Sequence, residues 1–525
     1  MWCRSSRLEG MRNGSSPRLV RSGDPSKPTL FTRRGGGCVL LAPTHNIVAN
    51  GPIDVHDTDE VTVVSIVQNS PEQDVDITAT SGLTVGTPSD TETIIDSHGG
   101  DLSLDAGTKD LLLYAPIVSG GGTITLQADD DLILNTAAQI TGEAGSSADI
   151  ILIADQDGNG TGALTMTDGS LVDAVAGIIT LIATEDVSLS QLITTGDVSI
   201  TSSAGSIIDA GDTGDPDVQA AALTVSAAGS VGTDTNPLEI KVAQLTAASG
   251  TTIDIVNTGE IVLKAITSAG AVSLDASSVT ISSDLNTGGG SLELDVTDDL
   301  HINSTVTTGG GSLVATAGND VTFASTGSIT TAGGVIVLRA DDDEDSDGSG
   351  GVLTMADGSG MVSESGQITL SADGDIDVAR LVTTNNSARA ITLSSTSGSV
   401  LDSGDTDGAD IVATGDDAVV TISTATGIGT ISNAMETDIT TLNGSVSGSG
   451  DLAISESDEI TLSEIETAAG SIQVTAGGMI TATRVDTSAT DDGTNGISLV
   501  TTAGDIATET VTAGYSNHTT LNAAA

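Results

Sequence analysis

Three successive stretches decide how this chain folds: GAVSLDASSVTISSDLNTGG (270–289), GSLELDVTDDLHINSTVTTGG (290–310) and GSLVATAGNDVTFASTGSITTAG (311–333). Each opens on Gly-x-Φ-x-Φ, where Φ is apolar, and after a polar gap returns to Φ-x-Φ. Copies begin at Gly270, Gly290, Gly311 and Gly334, in steps of 20, 21 and 23. Val272 and Leu274 superimpose on Leu292 and Leu294, then on Leu313 and Ala315. Val279 and Ile281 superimpose on Leu300 and Ile302, then on Val321 and Phe323; Leu285 aligns with Val306 and Ile329. Alternation at period two places successive side chains on opposite faces, the mark of a strand. A fixed period near 20 residues makes each copy one supersecondary unit stacked on the next. The chain therefore reads as all-β, a parallel β-helix (β-solenoid) of about 20–23 residues per coil.

Working outward, the same opening appears at Gly100, Gly122, Ala148, Gly177 and Gly196, and again at Gly470 and Gly496. Residues 99–525 are assigned to the solenoid. Residues 49–98 alternate (Val61-Thr62-Val63-Val64, Val75-Asp76-Ile77) without that spacing and are assigned as capping or degenerate coils, since terminal repeats are usually atypical. A longer period lies over the short one. Leu164-Thr165-Met166 returns as Leu353-Thr354-Met355 at an offset of 189, Gly205–Asp212 returns as Gly398–Asp405 at 193, and Asn236 and Glu239 return as Asn433 and Glu436 at 197. A block of coils has been duplicated, with small insertions at its loops.

Composition agrees with a narrow aliphatic interior. Among 525 residues there are two Phe, two Tyr and one Trp, against 64 Gly. Aromatic-rich compact cores are excluded, and the plentiful, periodic β-branched residues exclude disorder of the body. The formal net charge is −57. Eight of the fifteen bases lie before residue 35 (Arg4, Arg7, Arg12, Arg18, Arg21, Lys27, Arg33 and Arg34). The remaining body is strongly acidic, repels phosphate backbones, and is not expected to bind nucleic acid.

Cys3 and Cys38 both precede the repeats, so the repeats hold no disulfide or thiolate site. No apolar run is long enough for a transmembrane helix. Residues 1–38 are basic and lack the apolar core of a secretory signal. Residues 1–48 are read as a disordered basic leader or the product of a wrongly placed start, on a fragment of a longer surface protein.

The Gly-x-Φ-x-Φ coils, the Thr/Asp-rich turns and phrases such as Val231-Gly232-Thr233 and Leu353-Thr354-Met355-Ala356-Asp357-Gly358 resemble the repeats of filamentous-haemagglutinin-like bacterial surface proteins. They also resemble the giant repetitive secreted proteins of aquatic bacteria. The resemblance implies a right-handed helix, export to the cell surface or beyond, and a role in adhesion or the envelope.

Chemistry-bearing patterns are few. Asp155-Gln156-Asp157-Gly158-Asn159-Gly160 and Asp341-Asp342-Asp343-Glu344-Asp345-Ser346-Asp347-Gly348 are matched acidic inserts in the two blocks. Oxygen donors at alternate positions with a turn-permitting Gly suit Ca²⁺. Asp155, Asp157, Asn159, Asp341, Asp343, Asp345 and Asp347 are the candidate ligands; solvated turns are the alternative, since Thr354 stands where an EF-hand loop would place its bidentate Glu. A second acidic turn comprises Asp209, Asp212 and Asp215, with counterparts Asp402, Asp405 and Asp407. No Ser is flanked by Gly at both −2 and +2, no phosphate-binding Gly-Lys-Ser/Thr loop occurs, and the five His are dispersed. His301 falls on an outward position and Phe323 on an inward one.

Three functional readings follow. The first is an exported, non-catalytic surface protein (adhesin, stalk or extracellular matrix component) whose partner is a cell-surface or extracellular glycan or protein. The second is a polysaccharide-active enzyme on the same scaffold. The third is a Ca²⁺-dependent binding module.

Overall fold

A backbone that repeats every 20-odd residues must satisfy its N–H and C=O groups against the coil before and the coil after, because no helix or hairpin is encoded within a coil. The computed structural model describes residues 29–32, 38–41, 44–211, 215–341, 350–404, 408–490 and 493–524. Within these, every regular element is a strand, and together they form a β-solenoid of about 21 turns. Two compact units divide the chain, Met1–Gly259 and Glu260–Ala525.

In the second unit, from Val272 to Ile439, each coil contributes three short strands, and each strand pairs in parallel with its counterpart one coil later; beyond Ile439 the coils carry two strands, as in Leu452–Glu456 with Ile460–Thr467 and Ile472–Ala476 with Ile480–Asp486. Val272–Ala276, Leu292–Val296, Leu313–Ala317, Ile336–Ala340 and Ile368–Ala372 form one ladder. Ser278–Ile281, Leu300–Ile302, Val321–Phe323 and Leu353–Met355 form the second. Leu285–Asn286, Thr305–Thr307, Ser328–Thr330 and Gly360–Glu364 form the third. The register pairs Val272 with Leu292, Leu292 with Leu313 and Leu285 with Val306, as the repeat requires. These side chains, with Phe323, are buried, and so the aliphatic rows run along the interior. His301 points outward, its Nδ1 2.6 Å from Thr322 Oγ1 on the adjacent coil.

The first unit is built alike. Its first ladder runs through Ile53–Asp57, Val75–Ala79, Leu102–Asp105, Ile124–Gln127, Ile150–Ile153, Ile179–Ala183, Asp197–Ser202, Val218–Ala227 and Leu238–Ser249. The stretch 49–98 is thus continuous with the coils that follow it. Of residues 1–48, Thr29–Thr32 and Cys38–Leu41 form an antiparallel pair, and Thr44–Ala49 begins a parallel ladder with Val61–Gln68. Residues 1–28, most of the basic leader, lie outside the described residues.

Glycine opens many of the coils because the corners there are stacked too closely for a side chain. A Cβ added at Gly311 would lie 2.0 Å from the carbonyl oxygen of Gly290, and one at Gly334 would lie 2.0 Å from that of Gly311. Three residues upstream, a buried hydroxyl closes the corner. Thr287 Oγ1 donates to the Gly290 carbonyl at 2.5 Å, Thr331 Oγ1 to Gly334 at 2.6 Å and Ser363 Oγ to Gly366 at 2.7 Å; Thr308 donates likewise to Gly311. The full signature is therefore Ser/Thr-x-x-Gly-x-Φ-x-Φ. A carbonyl turned inward at a corner would be an unsatisfied acceptor without that hydroxyl.

Coil length is less regular than residues 270–333 suggest. Ile150 pairs with Ile179 and Ile336 with Ile368, steps of 29 and 32 residues, because the acidic inserts are accommodated at corners while the ladder keeps its register.

Candidate functional site

Charge accumulates at the corners, where the backbone leaves the ladder and side chains can collect unpaired N–H groups. The insert at Asp155 is one such corner. Asp155 has φ +58°, and its Oδ2 accepts the Gly160 N–H at 3.0 Å and the Thr184 hydroxyl. The Thr184 hydroxyl is the main influence holding its carboxyl below the usual range; burial opposes it and the Gly160 N–H adds to it. Asp157 Oδ1 accepts the Asn159 N–H at 3.1 Å, and Asn159 Oδ1 accepts the Thr161 N–H at 3.0 Å. These oxygens fold the turn upon itself. In the matching insert Asp341 also has a left-handed backbone, at φ +65°. Asp343, Asp345 and Asp347 lie outside the described residues.

The structure gathers carboxylates more tightly elsewhere. In the first unit Asp209 ends strand Ile207–Asp209, Asp217 immediately precedes strand Val218–Ala227, and Glu239 is the second residue of strand Leu238–Ser249. One carboxylate oxygen from each lies within 4.8 Å of the other two. The second unit repeats this with Asp402 at the end of Ser399–Asp402, Asp410 just before Ile411–Ala413, and Glu436 in Met435–Ile439.

The two trios share their hydrogen bonds. Asp217 Oδ2 accepts the Glu239 N–H at 3.1 Å, and Asp410 Oδ2 accepts the Glu436 N–H at 3.1 Å. The Asp217 carbonyl accepts from Leu192 N–H at 2.7 Å, and that of Asp410 from Leu381 N–H at 2.6 Å. Asp209 Oδ1 takes the Gly211 N–H and Asp402 Oδ1 the Gly404 N–H, both at 2.8 Å. In both copies the remaining oxygen, Asp209 Oδ2 or Asp402 Oδ2, is buried with no hydrogen-bond partner. A tight turn follows on the next coil: Thr233 and Asn236, and equally Thr430 and Asn433, exchange backbone hydrogen bonds at 2.7–3.1 Å. It starts from Gly232 (φ +66°) and Gly429 (φ +58°), where a Cβ would strike the Asp254 or Ala453 carbonyl.

Burial and neighbouring charge strain these acids. Asp217 is 3 % exposed and Asp410 1 %. Burial, followed by the charges of Asp209 and Glu239, pushes the Asp217 carboxyl up to about 9, although the Glu239 N–H pulls the other way. Burial and then Asp402 push Asp410 up to about 8, opposed by the Glu436 N–H.

A third trio, Asp438, Glu456 and Asp458, is of another kind. Both oxygens of buried Glu456 are occupied. Oε2 accepts the Thr437 hydroxyl at 2.8 Å and the Ile439 N–H at 3.2 Å, while Oε1 accepts the Ser457 N–H at 2.9 Å. Burial still raises its carboxyl to about 7, against the pull of those bonds.

The sequence pattern pointed to Asp209 and Asp402 as acidic turns, but grouped them with near neighbours. Of those, Asp212, Asp405 and Asp407 lie outside the described residues, and the trios do not include Asp215. The partners missed were Asp217 and Asp410, and the role of Glu239 and Glu436. The signal was present: offsets of 193 for both aspartates and 197 for the glutamate connect one trio to the other. Comparison of the chain with protein-family models, with curated proteins and with solved structures gives no match.

Proposed function

We propose that this chain is an exported, non-catalytic repetitive surface protein, a scaffold that presents outward-facing rows of short polar side chains to a glycan or protein at or beyond the cell surface. The observation that carries the reading is the duplicated, in-register coil. One outward position recurs in register from coil to coil, as at Ser273, Glu293 and Val314, and a second copy of the whole block follows in the same chain. Repetition of that kind favours multivalent attachment over a single catalytic cleft.

Aromatic content supports the same choice. Carbohydrate-active β-helices need ring faces on which sugars stack. Among the described side chains, Phe323 is buried in the interior, Tyr114 is half-buried, and Tyr515 stands exposed near the carboxyl end. The acidic surface favours a soluble, self-repelling particle and a cationic or neutral partner. Among the described residues no helix is long and apolar enough to cross a membrane. The inserts at Asp155 and Asp341 are proposed as turns that adjust coil geometry and bind Ca²⁺ weakly.

The test combines location with activity. Antibodies against the chain should label intact producing cells or the medium, and protease added outside should remove the label. Label seen only after lysis would refute export. Incubation with a polysaccharide panel should release neither reducing ends nor unsaturated sugars; their release would replace this reading with the enzymatic one.

A further inference from the structure

Two carboxylate trios, built from different coils and repeated in different units, share an unusual deficit. Asp209 is 6 % exposed, yet its Oδ2 receives no hydrogen bond; Asp402 as a residue is only half-buried, but its Oδ2 atom is likewise shut off from solvent and without a donor. Buried acceptors left unmatched are costly, and each of these sits in a group of three carboxylates. Other acids approach as well. The turn rests against a further acidic side chain in both copies: a Cβ at Gly211 would lie 3.6 Å from Asp168 Oδ2, in ordinary contact, and one at Gly404 would lie 3.0 Å from Asp357 Cγ, a tight one. In the second copy the buried Ser403 Oγ also has no partner.

The geometry points to a divalent-cation site at each trio: we propose that Asp209, Asp217 and Glu239 bind one Ca²⁺, and Asp402, Asp410 and Glu436 a second. Two oxygens that ligate the same Ca²⁺ at about 2.4 Å can stand no more than about 4.8 Å apart, and both trios satisfy that bound. An all-oxygen, carboxylate-rich set is the chemistry of a hard cation. Three protein carboxylates favour Ca²⁺ over Mg²⁺, which usually takes one or two and keeps its waters. A single shared proton is the rival occupant. It would relieve the contact between two of the acids and leave the third carboxylate uncompensated, whereas a cation meets all three and gives the orphaned Asp209 and Asp402 oxygens a partner. Burial and the neighbouring acids raise the carboxyls of Asp217 and Asp410, an electrostatic cost that either occupant would relieve.

Glu456 shows why acidity alone does not make a site. Its group is also three carboxylates, but both its oxygens are filled by backbone and hydroxyl donors, and no cation is assigned there. The inference does not depend on the chain's being a surface protein, and its test is separate from the cell-labelling test.

The full-length chain, stripped with chelator and dialysed, is titrated with CaCl₂ by calorimetry and by equilibrium dialysis with radioactive Ca²⁺ at physiological ionic strength, which screens diffuse surface binding. The wild type should bind two more Ca²⁺ per chain than the Asp217→Asn/Asp410→Asn double variant, and each single variant should lose one. Asn keeps an oxygen for the Glu239 or Glu436 N–H, and far-UV circular dichroism checks that the strands persist. Glu239→Gln and Glu436→Gln, at half-buried positions, give an independent pair that should lose one ion each. Equal stoichiometry in wild type and double variant, or no binding at ~1 mM Ca²⁺, overturns the proposal. A chain that binds no Ca²⁺ and is stabilised by Asp217→Asn holds the shared proton instead.

Discussion

Asn257 in the first unit and Glu456 in the second occupy equivalent places in the duplicated blocks, and they do the same work with different chemistry. Ile240 pairs with Asn257, and Thr437 pairs with Glu456. Asn257 Oδ1 accepts the Val242 N–H at 3.0 Å, where Glu456 Oε2 accepts the Ile439 N–H at 3.2 Å. Both side chains are buried. The corner needs an acceptor for a backbone N–H that has left the ladder, and either a neutral amide or a carboxylate can supply it. The neighbouring trios behave differently, since all three acids recur in both copies. Where a side chain serves local N–H and hydroxyl donors, the copies differ, an amide in one and a carboxylate in the other; where carboxylates face one another, both copies hold the same three acids.

The comparison breaks most visibly if the acceptor is removed. Glu456→Leu should destabilise the chain by about 3 kcal/mol, because the Ile439 and Ser457 N–H groups and the Thr437 hydroxyl lose their partner in a dry corner. Asn257→Leu, which strands the Val242 N–H and the Gly259 carbonyl, should cost about 2 kcal/mol. Urea midpoints followed by circular dichroism at pH 6 measure both, and equal midpoints for wild type and variants would remove the acceptor role.

Charge separates the two copies at the next level. Burial raises the Glu456 carboxyl to about 7, so the folded state holds a proton that the unfolded chain releases near the ordinary glutamate value. That stabilisation is complete below the unfolded value and is lost as pH rises through about 7. In chelator, the melting temperature of the wild type minus that of Glu456→Gln should therefore fall as pH rises from about 4.5 to about 7. A difference that stays constant or rises would contradict it. Asn257→Asp should bring the same downward slope into the first unit, with larger amplitude because a single backbone N–H there pulls against burial, whereas several donors do so at Glu456. Asp458→Asn should change stability least, within about 0.5 kcal/mol, since its side chain is exposed and only its N–H reaches Glu456.

The ladder was legible in the sequence because a strand's period of two and a coil's period near 20 both survive in the apolar residues. Val272, Leu292 and Leu313 align by eye and pair in the structure. The corner hydroxyl was legible too, at Thr287, Thr308 and Thr331, but Ser and Thr are so abundant here that a row of them at −3 from glycine is hidden in the background. Coil length escaped the pattern wherever inserts at Asp155 and Asp341 lengthened a corner without moving the ladder. The trios escaped for a different reason. Asp209, Asp217 and Glu239 are scattered in sequence and meet only because parallel register returns the chain to the same corner one coil later. Local motifs reach as far as a turn, whereas these contacts span a coil.

Everything rests on coils climbing in register, and a distance between two spin labels tests it. Ser273, Glu293, Val314, Val337, Thr369 and Thr392 are successive outward partners within the second unit, five coil steps from first to last. With native cysteines replaced and labels at Ser273→Cys and Thr392→Cys, pulsed electron–electron resonance should give a single narrow distance near ~24 Å, at about 4.8 Å per step. A broad distribution, or a peak far from that value, would contradict the stacked coil and every corner built upon it.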